Sequence, residues 1–177
     1  MLNHVATNVF DSGVDHLVVV LGCNRRKIHH TIQPMDERSL RVVMNEDWSR
    51  GQASSIRCGY RSLVSDGIVA NRVLIALADQ PNVSAEHFRR LMNSVRDETL
   101  VAATNYPQGG GVPACLTRSI LHRWIAGDGD IGMKRQIREL PDAQVQILEC
   151  ESGLEDIDTP EDYRRYRPST SKASSAG

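Results

Sequence analysis

Short apolar runs alternate along this chain with stretches in which apolar residues recur every three or four positions. Leu17–Leu21 and residues 73–78 are uninterrupted apolar runs, a pattern typical of strands that are buried on both faces. Leu2, Val5 and Val9 recur at helical spacing, which predicts a helix over residues 2–12. Similar patterns predict further strands at residues 40–44, 100–103, 112–116 and 144–148. They predict further helices at residues 24–32, 54–64, 85–95, 119–125, 132–140 and 160–166.

Strands that alternate with helices favour an α/β fold, in which a mostly parallel sheet is wrapped by helices on both faces. In such sheets ligands bind beyond the carboxyl ends of the strands, where the strand order reverses. Polar residues that directly follow a predicted buried strand are therefore the first candidates for chemistry.

Composition restricts the classes of protein to consider. The 177 residues suit one domain, and 40% hydrophobic with 24% charged residues is ordinary for a globular chain. Lysine and arginine number 21 against 22 aspartate and glutamate, a net charge of -1, which argues against nucleic acid or an anionic membrane as a partner. We expect residues 1–167 to form the domain and residues 168–177, which lack apolar periodicity, to be a disordered tail.

The cysteines and the amino terminus indicate the compartment. The four cysteines are widely spaced without a C-x-x-C pair, so we expect reduced thiols rather than a zinc or iron–sulfur site. No apolar run approaches the roughly 18–20 residues of a membrane span, and the first ten residues lack the pattern of a secretion signal. The sequence therefore predicts a cytoplasmic protein.

Asp79 directly follows the apolar run at residues 73–78. A carboxylate there is well placed to hold Mg²⁺, which takes hard oxygen ligands, commonly one or two carboxylates together with substrate phosphates. The alternative is a turn residue that caps the next helix, for which Ser84 is also a candidate cap. From this position alone the two interpretations stand about equal.

A second acidic segment spans residues 156–162, with the sequence DIDTPED. In an extended backbone Asp156 and Asp158 lie on one side, while Ile157 points inward. Either Asp158 or Thr159 could cap the helix that begins at Pro160. Capping alone explains most of the segment, and it is the pairing with Asp79 that makes a metal site attractive.

Two further kinds of segment could bind an anion. Residues 45–55 join a predicted strand to a predicted helix and offer Gly51, the hydroxyls of Ser54 and Ser55, and helix N-terminal amides, although a plain helix cap explains them as well. Glycine-rich turns occur at residues 109–113 and 127–134, and the second contains Asp130 and Lys134. Basic groups there could contact phosphates, but solvent exposure is the simpler interpretation.

Taken together, these segments resemble the molybdenum cofactor cytidylyltransferase group of the MobA-like NTP transferases. The matching motifs are N-x-D-W-x-x-G-x-x-S-S-I-R-x-G at residues 45–59, LADQP at 77–81, G-x-P at 111–113, G-D-x-G-x-[R/K] at 129–134 and DIDTPEDY at 156–163. The resemblance covers residues 1–167. It implies a three-layer, Rossmann-like fold of the nucleotide-diphospho-sugar transferase type.

The resemblance implies transfer of CMP from CTP to the terminal phosphate of molybdenum cofactor, with release of pyrophosphate. Asp79 and Asp158 would be the catalytic and metal-binding residues, holding Mg²⁺. The residues implied in the nucleotide pocket are Asn45, Gly51, Ser54, Ser55, Leu77 and Ala78. Those implied on the acceptor side are Gly111, Pro113, Gly129, Asp130 and Lys134. A molybdoenzyme or its chaperone is the further partner that the resemblance implies.

The sequence departs from the family pattern at its start. The family opens with a strand and a loop of the form L-A-A-G-x-S-x-R-x-G-x-x-K, which cradles the triphosphate, whereas this sequence begins within the helix that follows. We therefore expect the sheet to lack its first strand and residues 1–177 to bind CTP poorly; a titration that gave micromolar affinity would contradict this. The alternatives are a non-catalytic homologue that binds cofactor or a molybdoenzyme, and a nucleotidyltransferase with another phosphorylated acceptor.

Overall fold

The structure is a computed structural model that describes residues 1–32, 40–107, 109–126, 133–151 and 155–166. Its helices are α1 (Leu2–Asp11), α2 (Arg25–His29), α3 (Gln52–Ser65), α4 (Ala85–Ser94), α5 (Arg118–Ala126), α6 (Met133–Arg138) and α7 (Pro160–Tyr166). Its strands are β1 (Leu17–Leu21), β2 (Leu40–Met44), β3 (Arg72–Ile75), β4 (Val101–Thr104), β5 (Gly111–Thr117) and β6 (Val145–Leu148). The predicted alternation of strands and helices is confirmed.

The helices begin and end close to the positions that the apolar spacing predicts. Ser84 caps α4 as expected, because its hydroxyl oxygen accepts a hydrogen bond of 3.2 Å from the backbone N–H of His87. The longest described helix, α3, has 14 residues. Within the described ranges no helix combines the length and the apolar character that crossing a membrane requires.

The described strands form two sheets. β1 and β2 pair in parallel, and the second sheet has the order β3-β5-β4-β6. In this second sheet β5 runs antiparallel to β3 and β4, whereas β4 and β6 are parallel. Three of its four strands consequently share one direction, which confirms a mostly parallel α/β fold.

Strands β1 and β3 are less buried than their sequences predict. In the described part of the chain, β1 has a ladder only with β2, and β3 only with β5. Val19, Leu21 and Ile75 are buried, but the other residues of the two apolar runs are half-buried or exposed. The strand predicted over residues 73–78 also ends at Ile75. Burial on both faces is therefore only partly observed, since among the described residues each of these strands has a ladder on one edge only.

The hydrophobic core lies on both faces of the four-stranded sheet. On one face α1 and α4 pack with Val5, Val9, Phe88 and Leu91 against the sheet, and Phe88 and Leu91 are 1% and 0% exposed. On the other face lie residues of α3, α5 and α6. Full burial of a side chain such as Phe88 or Leu91 is worth roughly 1.5–3 kcal/mol. The predicted three-layer arrangement is thus observed, with β4 and β5 rather than β1 and β3 at its centre.

Candidate functional site

Asn45 organises the turn that joins β2 to α3. Its backbone N–H donates to the carbonyl of Leu21 at 2.8 Å, which places it at the carboxyl ends of β1 and β2. Its side-chain amide donates to the hydroxyl oxygens of Ser54 at 2.8 Å and Ser55 at 3.1 Å, and its carbonyl accepts from the Asp47 N–H at 3.0 Å. Asn45 is 4% exposed. The side chain therefore fixes the loop and aligns the two serines, which is an indirect way to shape a pocket.

The amino terminus of α3 completes this first group of predicted residues. Gly51 precedes the helix with φ 96°, in the left-handed region that favours glycine. The hydroxyl of Ser54 lies 2.8 Å from the Gly51 carbonyl and 2.9 Å from the Asp47 carbonyl. The structure thus brings Asn45, Gly51, Ser54 and Ser55 together at a helix N-terminus, where backbone N–H groups favour an anion.

The second group of predicted residues lies in the loop after β3. Leu77 is half-buried and Ala78 exposed, and the carbonyl of Leu77 accepts from the N–H of Gln80 at 3.4 Å. The Oδ1 atom of the half-buried Asp79 is inaccessible to solvent, and within the described ranges it has no hydrogen-bond partner. Burial raises the pKa of Asp79, and the charges of Asp156 and Asp158 raise it further.

The segment before α7 contacts this loop directly. The backbone N–H of Ile157 donates to the carbonyl of Asp79 at 2.8 Å, and Ile157 is buried while Asp156 and Asp158 are exposed on either side of it. The expected alternation of inward and outward side chains is therefore confirmed. The structure brings Asp79 and Asp158 to one locus although 78 positions separate them in the sequence.

The cap of α7 settles an alternative that the sequence left open. The Thr159 hydroxyl accepts from the Asp162 N–H at 3.1 Å, and the Asp162 carboxylate accepts from the Thr159 N–H at 3.0 Å. This reciprocal pair is a capping box, with Thr159 as the cap. Asp158 lies one residue outside it, so capping does not account for a carboxylate at position 158.

Asp79, Asp156 and Asp158 form an acidic locus whose carboxylate oxygens are suitable ligands for a divalent cation. Asp79 presents a buried carboxylate oxygen without a donor, and two further carboxylates are near enough to perturb its charge. A hard cation would relieve both conditions. Among the described residues no group of three or more histidine, cysteine, aspartate or glutamate side chains forms a ready-made metal cluster. A cation here would complete its coordination with substrate oxygens or water.

The predicted acceptor-side residues are distributed unevenly. Gly111 begins β5 and is buried, and Pro113 is fully buried and follows a cis peptide bond from Val112. Lys134 lies in α6. Gly129 and Asp130 lie outside the described residues. Gly111 and Pro113 flank Val112, whose carbonyl accepts a hydrogen bond from the hydroxyl of Tyr106. That hydroxyl is linked through Gln80 to Asp156 in the acidic locus.

Several polar residues near the site were missed by the sequence analysis. Tyr106 follows β4, and its hydroxyl donates to the Val112 carbonyl; burial raises the pKa of this hydroxyl. His87 is 3% exposed, and its Nε2 lies 2.8 Å from the hydroxyl of Thr104. That hydroxyl donates to the Pro113 carbonyl at 2.7 Å. Tyr106 stands just after a strand and could have been found by that signal, whereas His87 looks like an ordinary residue in a helix's first turn.

The amino-acid sequence is similar to that of two curated bacterial proteins. It is 31% identical over 169 residues to the purine catabolism protein PucB of Bacillus subtilis, a match that covers 88% of this chain and 77% of that protein. It is 29% identical over 178 residues to the nicotine blue oxidoreductase of Paenarthrobacter nicotinovorans, covering 93% and 81%. Since one name refers to purine catabolism and the other to an oxidoreductase, the two matches indicate a shared family rather than one activity.

Solved structures share the fold. A nucleotidyl transferase from Methanothermobacter thermautotroptrophicus has a TM-score of 0.75 at 23% identity, with 94% of this chain and 78% of that chain covered. Rv0371c of Mycobacterium tuberculosis in complex with manganese has a TM-score of 0.67 at 25% identity, with 93% and 84% covered. The 4-diphosphocytidyl-2C-methyl-D-erythritol synthase of Anaerococcus prevotii has a TM-score of 0.70 at 16% identity, with 93% and 85% covered.

The family assignment rests on a match over most of the chain. The model of the MobA-like NTP transferase domain matches residues 1–145. The match includes Asn45, Gly51, Ser54 and Ser55 and the loop that carries Asp79, but not the segment around Asp158. The solved neighbours identify the fold as that of the nucleotide-diphospho-sugar transferases. This chain belongs to the family of MobA-like NTP transferase domains.

Proposed function

We propose that this protein is a cytidylyltransferase that transfers CMP from CTP to the terminal phosphate of molybdenum cofactor and releases pyrophosphate. The observation that carries the proposal is the buried Oδ1 of Asp79, which has no hydrogen-bond partner among the described residues. Asp79 lies within the MobA-like match, and its backbone carbonyl accepts a hydrogen bond from the segment that contains Asp158. The motifs LADQP and DIDTPED, which contain these two residues, favour the cytidylyl reaction and this acceptor.

In the proposed reaction an oxygen of the acceptor phosphate forms a bond to the α-phosphorus of CTP. The bond from that phosphorus to the oxygen shared with the β-phosphate breaks, and pyrophosphate leaves with the electron pair. Asp79 and Asp158 hold a divalent cation, for which we propose Mg²⁺. When bound, such a cation neutralises charge on the phosphates and orients the in-line displacement. Manganese in the Rv0371c complex supports a divalent cation for this fold.

The two groups of residues divide the binding work in this proposal. The amides at the start of α3, arranged by Asn45, Gly51, Ser54 and Ser55, bind the nucleotide. Leu77 and Ala78 line the nucleotide side of the loop that carries Asp79. On the acceptor side we place Gly111, Pro113, Gly129, Asp130 and Lys134. Residues 1–167 would form this domain, and the reaction would take place in the cytoplasm; the tail predicted at residues 168–177 lies outside the described residues.

The test measures pyrophosphate release with CTP at millimolar concentration, molybdenum cofactor and Mg²⁺. We expect release only when all three are present, with GTP giving less product than CTP. Release with a different phosphorylated acceptor, such as a sugar phosphate, and none with molybdenum cofactor would contradict the acceptor. Binding of molybdenum cofactor without any release of pyrophosphate would identify a non-catalytic carrier instead.

A further inference from the structure

Gln80 is the point at which three loops meet. It follows Asp79 in the loop after β3 and is 3% exposed. Its Nε2 donates to the hydroxyl oxygen of Tyr106 at 2.8 Å and to Oδ1 of Asp156 at 2.8 Å. Tyr106 belongs to the loop after β4, and its hydroxyl donates in turn to the carbonyl of Val112 in β5. One amide thus joins the acidic segment to the strand that carries Gly111 and Pro113.

The chemistry of these groups sets the direction of each of these three hydrogen bonds. The Asp156 carboxylate can only accept, so it takes one of the two hydrogens on Nε2 of Gln80. Tyr106 has a single hydroxyl hydrogen, and that hydrogen goes to the Val112 carbonyl. Its oxygen therefore accepts the second hydrogen of Gln80. Rotating the amide by half a turn would set its carbonyl against the Asp156 carboxylate, so the orientation of Gln80 is fixed.

We propose that Gln80 and Tyr106 are positioning residues that hold the Asp156 carboxylate beside Asp79 and set the start of β5 relative to it. This inference rests on the proposed function, since it assigns β5 to the acceptor side. The glutamine is suited to the task because it binds Asp156 without neutralising it. The negative field that attracts a cation to Asp79 is therefore kept, while the carboxylate that contributes to it is prevented from turning away into solvent.

Each residue is expected to affect a different quantity. Gln80→Met keeps the length of the side chain and removes both donors, so the Asp156 carboxylate is no longer held toward Asp79 and the field at Asp79 weakens. Because the charge of Asp156 then lies farther from the cation, we expect Mn²⁺, used as the probe, to bind about 10-fold more weakly. Tyr106→Phe leaves Gln80 bonded to Asp156 and releases the Val112 carbonyl. We expect it to raise KM for the acceptor several-fold and to leave KM for CTP unchanged.

The experiment measures Mn²⁺ binding by calorimetry and both KM values, with Gln146→Met and Tyr163→Phe as matched controls on exposed side chains. The combined variant Gln80→Met/Asp156→Asn should bind Mn²⁺ no more weakly than Asp156→Asn, because Gln80 acts through Asp156. If Gln80→Met binds Mn²⁺ as Gln146→Met does, or if the losses in the combined variant add, the role of Gln80 is overturned. Equal acceptor KM values for Tyr106→Phe and Tyr163→Phe overturn the role of Tyr106.

The Mn²⁺ readout separates this inference from the proposed function. If the unmodified protein releases no pyrophosphate, the cytidylyltransferase proposal fails and the role of Tyr106 toward the acceptor fails with it, while the Mn²⁺ dissociation constants still decide the role of Gln80. Thermal unfolding accompanies each variant. If Gln80→Met does not unfold cooperatively, Asp156→Asn alone decides, because Mn²⁺ binding as tight as in the unmodified protein would overturn a role for a positioned Asp156.

Discussion

The hydroxyl of Thr104 is expected to contribute strongly to the free energy of unfolding. Thr104 is 0% exposed, donates to the Pro113 carbonyl at 2.7 Å and accepts from Nε2 of His87 at 2.8 Å. Thr104→Val keeps the shape and removes both bonds, so the buried Pro113 carbonyl loses a donor and the buried imidazole N–H of His87 loses its acceptor. Each such group costs about 1–3 kcal/mol, so we expect the free energy of unfolding to fall by about 2–4 kcal/mol. Urea unfolding, with an unchanged m-value, measures the loss.

Thr117→Val is the matched control for this prediction. Thr117 also lies at the end of a strand, but its hydroxyl is 3.1 Å from that of Ser119 in an exposed position. Water replaces such a bond readily, so the control should change the free energy of unfolding by no more than about 0.5 kcal/mol. If Thr104→Val destabilises the protein no more than Thr117→Val does, the buried chain of hydrogen bonds does not stabilise the fold as argued.

Three further predictions follow from the described residues. Burial, followed by the charge of Arg90, lowers the pKa of His87, so the unfolded chain takes up the proton at a higher pH than the folded protein. The free energy of unfolding should therefore fall as the pH drops below about 6.5, by up to about 1.4 kcal/mol per pH unit. His87→Gln should remove this pH dependence, and His16→Gln should not. Asp158→Asn should raise the Mg²⁺ concentration required for turnover by about 10-fold or more. The midpoint of thermal unfolding should not fall, because Thr159 caps α7. A lower midpoint with an unchanged Mg²⁺ requirement would favour a capping role for Asp158. Backbone amides of β1 and β2 should exchange hydrogen faster than those of β4 and β5, and equal protection would contradict the two-sheet description.

Most of the elements could be predicted because their signals are local. The apolar run at Leu17–Leu21, the cap at Ser84 and the proline at position 160 each depend on neighbouring residues alone, and all three appear where expected. Burial of β1 and β3 was predicted less well, because a side chain's exposure depends on which strand lies beside it. That neighbour is a matter of topology, to which the residues of one strand give no guide.

The candidate site divides in the same way. Asp79 could be found from its place after an apolar run. The choice between Asp158 and Thr159 as the cap of α7, by contrast, depended on the reciprocal hydrogen bonds between Thr159 and Asp162 in the structure. Gln80 and Tyr106 act through hydrogen bonds between loops that lie 26 residues apart in sequence. Such contacts leave no periodic pattern, so the connection between the acidic locus and β5 became visible only in three dimensions.

The proposed function depends most on Asp79, and Asp79→Asn tests the role of this residue most directly. The variant keeps the size of the side chain and removes its charge, while Asp15→Asn makes the same change at an exposed position. With CTP, molybdenum cofactor and Mg²⁺, we expect pyrophosphate release to be abolished in Asp79→Asn and retained in Asp15→Asn, with both variants unfolding cooperatively. Release by Asp79→Asn at the rate of the unmodified protein would contradict a catalytic, cation-binding role for Asp79.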